Sequence, residues 1–283
     1  MSLEFSIPRL RFGPMLGSPM GGNRSISINI FSQAATLEYI DTMVRARQGF
    51  ALATINLYHV VKLATDEDYF EAYRNHDVVV PDGFPIVWLG RLAGKEIHRT
   101  TGSDLVIPLI KTVYDAHGTL AMLGTTNETL EAASKKLREQ FPGLKIVYTR
   151  SPPFNFHPSS ALACELMQEV DRSGASVCLL AFGAPKQEVL AALGKTLAPR
   201  TGFVSIGAGI DFIVGKQIRA PEWIRQINME WFWRLALSPR RLSLRYLLCA
   251  LVFPVLLAQE LSDMLSRKFL RPLPKKVFPA DSL

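Results

Sequence analysis

Between residues 50 and 206 the chain alternates short apolar runs with stretches whose apolar residues recur at helical spacing, and this rhythm constrains the fold more than any other feature. The runs lie at 50–55, 77–80, 119–123, 144–148, 176–182 and 203–206; helical patterns at 36–48, 65–75, 85–92, 104–116, 128–141 and 160–172 stand before and between them. A strand buried on both faces reads as an unbroken apolar run, and parallel neighbours need a long crossover, usually a helix. The spacing therefore predicts an α/β fold, a parallel sheet flanked by helices. One more short strand is expected at 26–30, where Ile alternates with polar residues.

With 283 residues, 48% hydrophobic and 20% charged, the chain can bury a large core and is not of disordered composition. Its net charge of +7 is uneven: residues 211–283 carry 12 Lys and Arg against 6 Asp and Glu. That asymmetry suggests an acidic partner for the C-terminal part, namely phosphate, nucleic acid or an anionic membrane surface. Cys164, Cys178 and Cys249 have no metal-ligand spacing and read as small core residues in a reducing compartment. Residues 1–23 read as a flexible leader without a signal peptide, because Arg and Pro interrupt any apolar segment. The longest apolar run, 246–258, contains Pro254 and at 13 residues falls short of the roughly 20 that a spanning helix needs, so no membrane span is expected. The predicted organisation is the leader, an α/β catalytic domain at 24–215, a basic and aromatic helical appendage at 216–270, and a disordered tail at 271–283.

Chemistry-bearing residues cluster where the predicted strands end. Asp82 follows Val78-Val-Val-Pro81 at the mouth of a buried strand, where ligands of parallel sheets bind, although Pro-Asp-Gly serves equally as a plain turn. Thr54 and Asn56 share one side of another strand end and suit either a ligand or a helix cap. Gly183, Pro185, Lys186, Gln187 and Glu188 form a tight turn at a helix start and bring a cation, an amide and a carboxylate to a third. Gly207-Ala-Gly209-Ile-Asp211 starts like a dinucleotide fingerprint, but Phe212 stands where the third glycine belongs. Asp66-x-Asp68 spells a metal-binding pair, yet the acids are those of a helix start, with Thr65 as the expected N-cap. His157, in a Pro-rich loop that could be a mobile flap, is a weaker candidate.

Taken in order, Thr54-x-Asn56, Pro81-Asp82-Gly83, Thr101-Gly-Ser-Asp104, Gly183-x-Pro-Lys-Gln-Glu188, Gly207-x-Gly-x-x-Phe212, Arg219-Ala-Pro221, Glu230-Trp231 and Pro239-Arg240 followed by Arg245-Tyr246 resemble the WecG/TagA/CpsF family of bacterial glycosyltransferases, family 26, over about residues 24–250. The resemblance implies a Rossmann-like α/β fold and an inverting, metal-independent enzyme without cofactors. Such an enzyme moves a hexose from a UDP-sugar onto a polyprenyl-diphosphate-linked sugar in polysaccharide biosynthesis. It implies Asp82 as base, with Thr54, Asn56 and the 183–188 turn at the donor, to which Gly207 and Asp211 are added as candidates. It also implies phosphate or membrane contacts for Arg219, Arg234, Arg240, Arg241 and Arg245. The expected partners are the UDP-sugar, the lipid-linked acceptor and the inner face of the cytoplasmic membrane, with no nucleic acid; the sugar and the oligomeric state, a homo-oligomer included, stay open. Two alternatives remain. One is a Rossmann-type nucleotide-dependent enzyme of another class, which the incomplete glycine fingerprint disfavours; the other is a non-catalytic peripheral membrane protein that kept the fold.

Overall fold

The computed structural model describes residues 9–12, 24–217, 220–226 and 229–269. Its strands are β1 (Arg9–Phe12), β2 (Arg24–Ser27), β3 (Phe50–Ile55), β4 (Val78–Pro81), β5 (Thr119–Gly124), β6 (Lys145–Arg150), β7 (Val177–Ala181) and β8 (Gly202–Ser205). The helices of the body are α1 (Gln33–Ala46), α2 (Leu57–Leu63), α3 (Glu67–Arg74), α4 (Phe84–Leu92), α5 (Gly102–Asp115), α6 (Asn127–Gln140), α7 (Ala161–Ser173), α8 (Lys186–Leu197) and α9 (Gly209–Val214). After them come α10 (Glu222–Gln226), α11 (Glu230–Leu237) and α12 (Pro239–Phe269).

Six strands make one sheet in the order β4-β3-β8-β7-β5-β6, and every pairing in it is parallel, as the alternation predicts. Because successive side chains on a strand point to opposite faces, each apolar run feeds two cores. Leu52, Val80, Met122, Leu179 and Val204 meet α1, α5 and α6 on one face. On the other, Ala121, Cys178, Leu180 and Phe203 pack under α7 and α8, while Ala53, Ile55 and Val79 pack under α2, α3 and α4. Each fully buried Leu, Ile or Val in these layers contributes roughly 1.5–3 kcal/mol. Cys178 is a buried core residue, whereas Cys164 is exposed and Cys249 half-buried.

Several elements differ from the sequence expectation. Part of the leader is structured: β1 pairs antiparallel with β2, which runs Arg24–Ser27 instead of 26–30. Helix α2 is not expected from the sequence; it is short and directly follows a strand, and of the two roles open to Asn56 it uses the cap. Asp66, not Thr65, caps α3, its carboxylate accepting from the Tyr69 N–H, so the Asp66-x-Asp68 pair belongs to a helix start.

The largest correction concerns the C-terminal run. The helix runs through Pro254: α12 has 31 residues in all, and its segment Leu242–Ser262, 21 residues with a mean hydropathy of 1.8, is long and apolar enough to cross a membrane by length and composition. That length is divided between two faces. Leu242 and Leu256 are buried, and Cys249, Val252, Phe253 and Leu257 pack against the α2–α4 side of the body, with the Phe253 ring 5.7 Å from that of Trp88. Leu244, Leu247, Leu251 and Val255, three or four residues apart, form an exposed stripe. Residues 271–283 lie outside the described residues.

Candidate active site

All six strands of the sheet present their carboxyl ends to the same edge, and the site is built from the residues just beyond those ends. The register pairs Ile55 of β3 with Pro81 of β4, so Asn56 and Asp82 leave the sheet as neighbours. The Asp82 N–H donates to the Ile55 carbonyl at 2.8 Å, which fixes the chain as it turns. Gly83 follows with φ +85°, a left-handed conformation that L side chains rarely adopt, and α4 starts at once. The next carbonyl, that of Pro81, accepts from Thr100 N–H at 2.8 Å and draws in the segment that carries Arg99 and the start of α5. There Thr101 caps the helix, accepting from the Asp104 N–H and donating its hydroxyl to the Asp104 carboxylate at 2.8 Å.

Asn56 has two duties. Its Oδ1 accepts from the His59 N–H at 3.1 Å as the cap of α2, and its Nδ2 reaches Asp82 Oδ2 at 3.5 Å. Thr54 is buried beneath, its carbonyl receiving the Tyr73 hydroxyl at 2.7 Å. Burial at the strand mouth pushes the Asp82 carboxyl above its ordinary range; Arg234, the Asn56 hydrogen bond and Arg99 oppose the shift, and Glu230 adds to it. A carboxylate so placed is a stronger base than one in water, and the charges of Arg234 and Arg99 still favour its ionised form.

The appendage supplies one of those groups. Arg234 pairs with Glu230 at 2.7 Å and lies over the Phe212 ring at 5.6 Å, which ties α11 to α9 beside Asp82. Arg245 of α12 stacks on Tyr58 with its guanidinium carbon 4.6 Å from the ring centroid, and its Nε is buried with no hydrogen-bond partner. Arg240 is exposed on α12. Arg219 and the side chain of Arg241 lie outside the described residues.

The third and fourth strand ends form a floor. After β7 the turn passes through a cis Ala184–Pro185 peptide, and the Lys186 N–H closes it on the Gly183 carbonyl at 3.0 Å. Gln187 and Glu188 are buried: Gln187 Oε1 accepts from the Gly207 N–H at 2.8 Å, and its Nε2 donates to Glu188 Oε1 at 2.8 Å. These two side chains thus hold the loop after β8, where Gly207 has φ +55°. Glu188 has no exposed surface, and burial pushes its pKa up to about 7. At the β5 end, a Cβ on Gly124 would come within 2.3 Å of the Ala181 carbonyl oxygen, so only glycine allows the strands to approach this closely. Thr125 there donates its hydroxyl to Asp211 at 3.1 Å, joining this loop to α9. Four strand steps separate β4 from β5, a row of ends roughly 19 Å long.

Asp82 and Asn56, both singled out from the sequence, thus come together, Arg234 acts on Asp82 through its charge, and Asp211 and the 183–188 turn lie further along the same edge. His157 sits in the loop before α7, with its Nδ1 3.3 Å from the Ser159 N–H. Sequence reasoning missed Arg99, and it had Glu230 only as part of the Glu230-Trp231 motif and His59 only as a follower of Asn56, without linking either to Asp82. An arginine two residues before the Thr101-Gly-Ser-Asp104 helix start was the available signal for the first.

Comparison with known proteins gives a consistent result. The family model described as the glycosyl transferase WecG/TagA/CpsF family matches residues 24–267. The chain is similar to N-acetylglucosaminyldiphosphoundecaprenol N-acetyl-beta-D-mannosaminyltransferase of Bacillus subtilis (strain 168), at 24% identity over 204 residues, 72% of this chain and 76% of that one. It is also similar to the protein of the same name from Staphylococcus aureus (strain NCTC 8325 / PS 47), at 25% identity over 194 residues, 68% and 74% of the two chains.

Proposed function

The chain belongs to the WecG/TagA/CpsF family of glycosyl transferases, and on that premise we propose that it transfers a hexosyl unit, with inversion and without a metal, from a UDP-sugar to the sugar of a polyprenyl-diphosphate-linked acceptor. The carrying observation is Asp82 at the mouth of its strand, its backbone N–H held by the Ile55 carbonyl and its carboxylate within reach of the Asn56 amide at 3.5 Å, with burial making it more basic. The relatives are named for transfer of N-acetylmannosamine to N-acetylglucosaminyl-diphosphoundecaprenol, which makes that pair the first substrates to try.

In this reading Asp82 takes the proton of the acceptor hydroxyl as its oxygen bonds to the anomeric carbon. The bond from that carbon to the diphosphate breaks, and UDP leaves with the electron pair. The roughly 19 Å row of strand ends is long enough for a nucleotide diphosphate sugar laid from the β5 side towards β4. Thr54, Asn56, Gly183, Pro185, Lys186, Gln187, Glu188, Gly207 and Asp211 line or support that row as the donor site. Arg234 and Arg245, with Arg219, Arg240 and Arg241, are assigned to the diphosphates and to anionic headgroups, because guanidinium forks bind phosphate oxygens in pairs. The exposed stripe of α12, with Trp231, Phe232 and Leu237 exposed on α11, suits a peripheral seat on the cytoplasmic face of the membrane, where the acceptor resides.

The test uses the purified full chain, a panel of UDP-sugars and a synthetic polyprenyl-diphosphate N-acetylglucosamine, with the product anomer read by NMR in the presence and absence of EDTA. Inverted product that forms in EDTA is expected. Asp82→Asn should cost about 10²–10⁴-fold in kcat while UDP still binds. Turnover undiminished in that variant removes Asp82 as the base. Failure of every UDP-sugar with the acceptor overturns the function itself and favours a non-catalytic membrane protein.

A further inference from the structure

A chain of hydrogen bonds runs from the core to Asp82 through the imidazole of His59, to which the displacement itself assigns no role. His59 lies in the first turn of α2, buried, edge-on to the rings of Tyr69 and Tyr73 at 6.0 and 6.3 Å. Its Nδ1 is 2.9 Å from the Thr54 carbonyl oxygen and 2.9 Å from the Tyr73 hydroxyl, and its Nε2 is 3.3 Å from Asn56 Nδ2.

The donors and acceptors in this group are set by chemistry alone. A backbone N–H can only donate, so the Asn56 atom that faces the His59 N–H is the oxygen, and the other terminal atom is the NH2. A carbonyl oxygen can only accept, and the Tyr73 hydroxyl gives its one hydrogen to that same carbonyl, so the nitrogen of His59 that faces both carries the hydrogen. In a neutral imidazole the other nitrogen is then a lone pair, which is what the Asn56 NH2 requires. One Asn56 proton goes to His59 Nε2 and the second remains for Asp82 Oδ2.

We propose that His59 is a positioning residue for the transfer: its backbone N–H and the lone pair of its neutral Nδ1–H tautomer together lock the Asn56 amide so that an N–H, never the oxygen, is presented to the Asp82 carboxylate. A flipped amide would set oxygen against carboxylate, and a protonated imidazole would set N–H against N–H. Burial, with Arg245 and Lys62 nearby, holds the His59 pKa down to about 3, so the lone pair persists at any pH at which the protein works. The consequence falls on Asp82, where Arg234, Glu230 and Arg99 are the other charged groups that act on the carboxyl. A fixed N–H donor favours its ionised form and orients the oxygen that receives the acceptor proton.

This inference rests on Asp82 as the base, so its tests separate the two. In the unmodified protein labelled with 15N-histidine, the signal assigned to His59 should show a protonated Nδ1 and a hydrogen-bonded lone pair on Nε2 unchanged from pH 5 to 8. The opposite tautomer, or titration in that range, overturns the lock whatever the activity. His59→Asn keeps a donor towards Thr54 but offers Asn56 no acceptor, whereas His59→Gln restores an acceptor at the Nε2 position. We expect the Asn variant to lose about tenfold in kcat with little change in donor KM, and the acid limb of its pH profile to move to higher pH; the Gln variant should recover most of both. In an Asn56→Ala background, His59→Asn should add nothing further, since the residue acts through Asn56. An unmoved acid limb, equal loss in both single variants, or additive loss in the double variant overturns the proposal even when Asp82→Asn is inactive. If Asp82→Asn is active, the base assignment fails first.

Discussion

Placing glutamate at Leu247 and Leu251 together tests whether the stripe of α12 faces lipid. The two side chains are 57% and 63% exposed, so their outward surface is available to a membrane without disturbing the contacts that seat the helix. Full burial of a leucine is worth roughly 1.5–3 kcal/mol, and scaling by the exposed share leaves about 1–2 kcal/mol for each on insertion. Losing both removes about 2–4 kcal/mol, at least a roughly 30-fold fall in partitioning, before the repulsion of two new carboxylates by anionic lipid. Glutamate is a good helix former and both sites are at the surface, so folding stability should change by less than about 1 kcal/mol. The assay is co-sedimentation with vesicles containing anionic lipid, run beside turnover on a vesicle-borne polyprenyl acceptor and on a short-chain soluble one. Sedimentation and vesicle turnover should fall together, while soluble turnover survives. A double variant that sediments like the parent refutes the assignment of this stripe to lipid.

Two further outcomes are set by the buried charges. Asp82 works as a base only when ionised, so kcat/KM should fall as the pH drops through its raised pKa; since Arg234 opposes that rise, Arg234→Gln should carry the acid limb to still higher pH, and an unchanged limb in a profile from pH 4.5 to 8 counts against their proximity. Glu188 has its pKa raised from 4.5 to about 7 in the fold, so the native state holds a proton that the unfolded chain has already lost in this window. Its contribution is present in full below 4.5 and disappears as the pH rises to about 7. Glu188→Gln should flatten that decline, read as the difference in thermal midpoint between pH 5 and pH 8; an equal difference in both proteins refutes it.

The parallel sheet was legible because its inner strands are short apolar runs with turn residues at their ends, and runs such as 50–55 and 176–182 have no competing helical period. Helix α2 was not, because seven residues after a strand give too little periodicity. Strand β1 was hidden for a related reason: its partner is β2, and a pairing between two four-residue segments has no local signature. At the site, strand-end residues such as Asp82 and Asn56 could be located because the end of an apolar run marks the mouth of a buried strand. The influence of the Arg99 and Arg234 charges on Asp82 could not, since it depends on where the start of α5 and the contact of α11 with α9 set those side chains relative to the sheet edge. The helical character of the C-terminal part was legible too, although the apolar run that contains Pro254 counted as too short for a span. A proline removes one backbone donor from a helix, but side-chain packing against the body can carry the helix past it.

That same proline bears on how deeply α12 can sink. Having no N–H, Pro254 leaves the carbonyl of Ala250, an exposed residue, without its usual helical donor. In hydrocarbon such a group is stranded at a cost of several kcal/mol, whereas at the level of headgroups water can reach it. The segment Leu242–Ser262 reaches the length of a span only by including Arg245 and Glu260; the uncharged stretch between those two measures roughly 21 Å as a helix, against the roughly 30 Å of a bilayer interior. A helix with charges at both ends and a thirsty carbonyl midway has its immersion limited by its own backbone. On the membrane seat proposed above, it would float at the boundary, half in protein and half in lipid, with little to gain by going under.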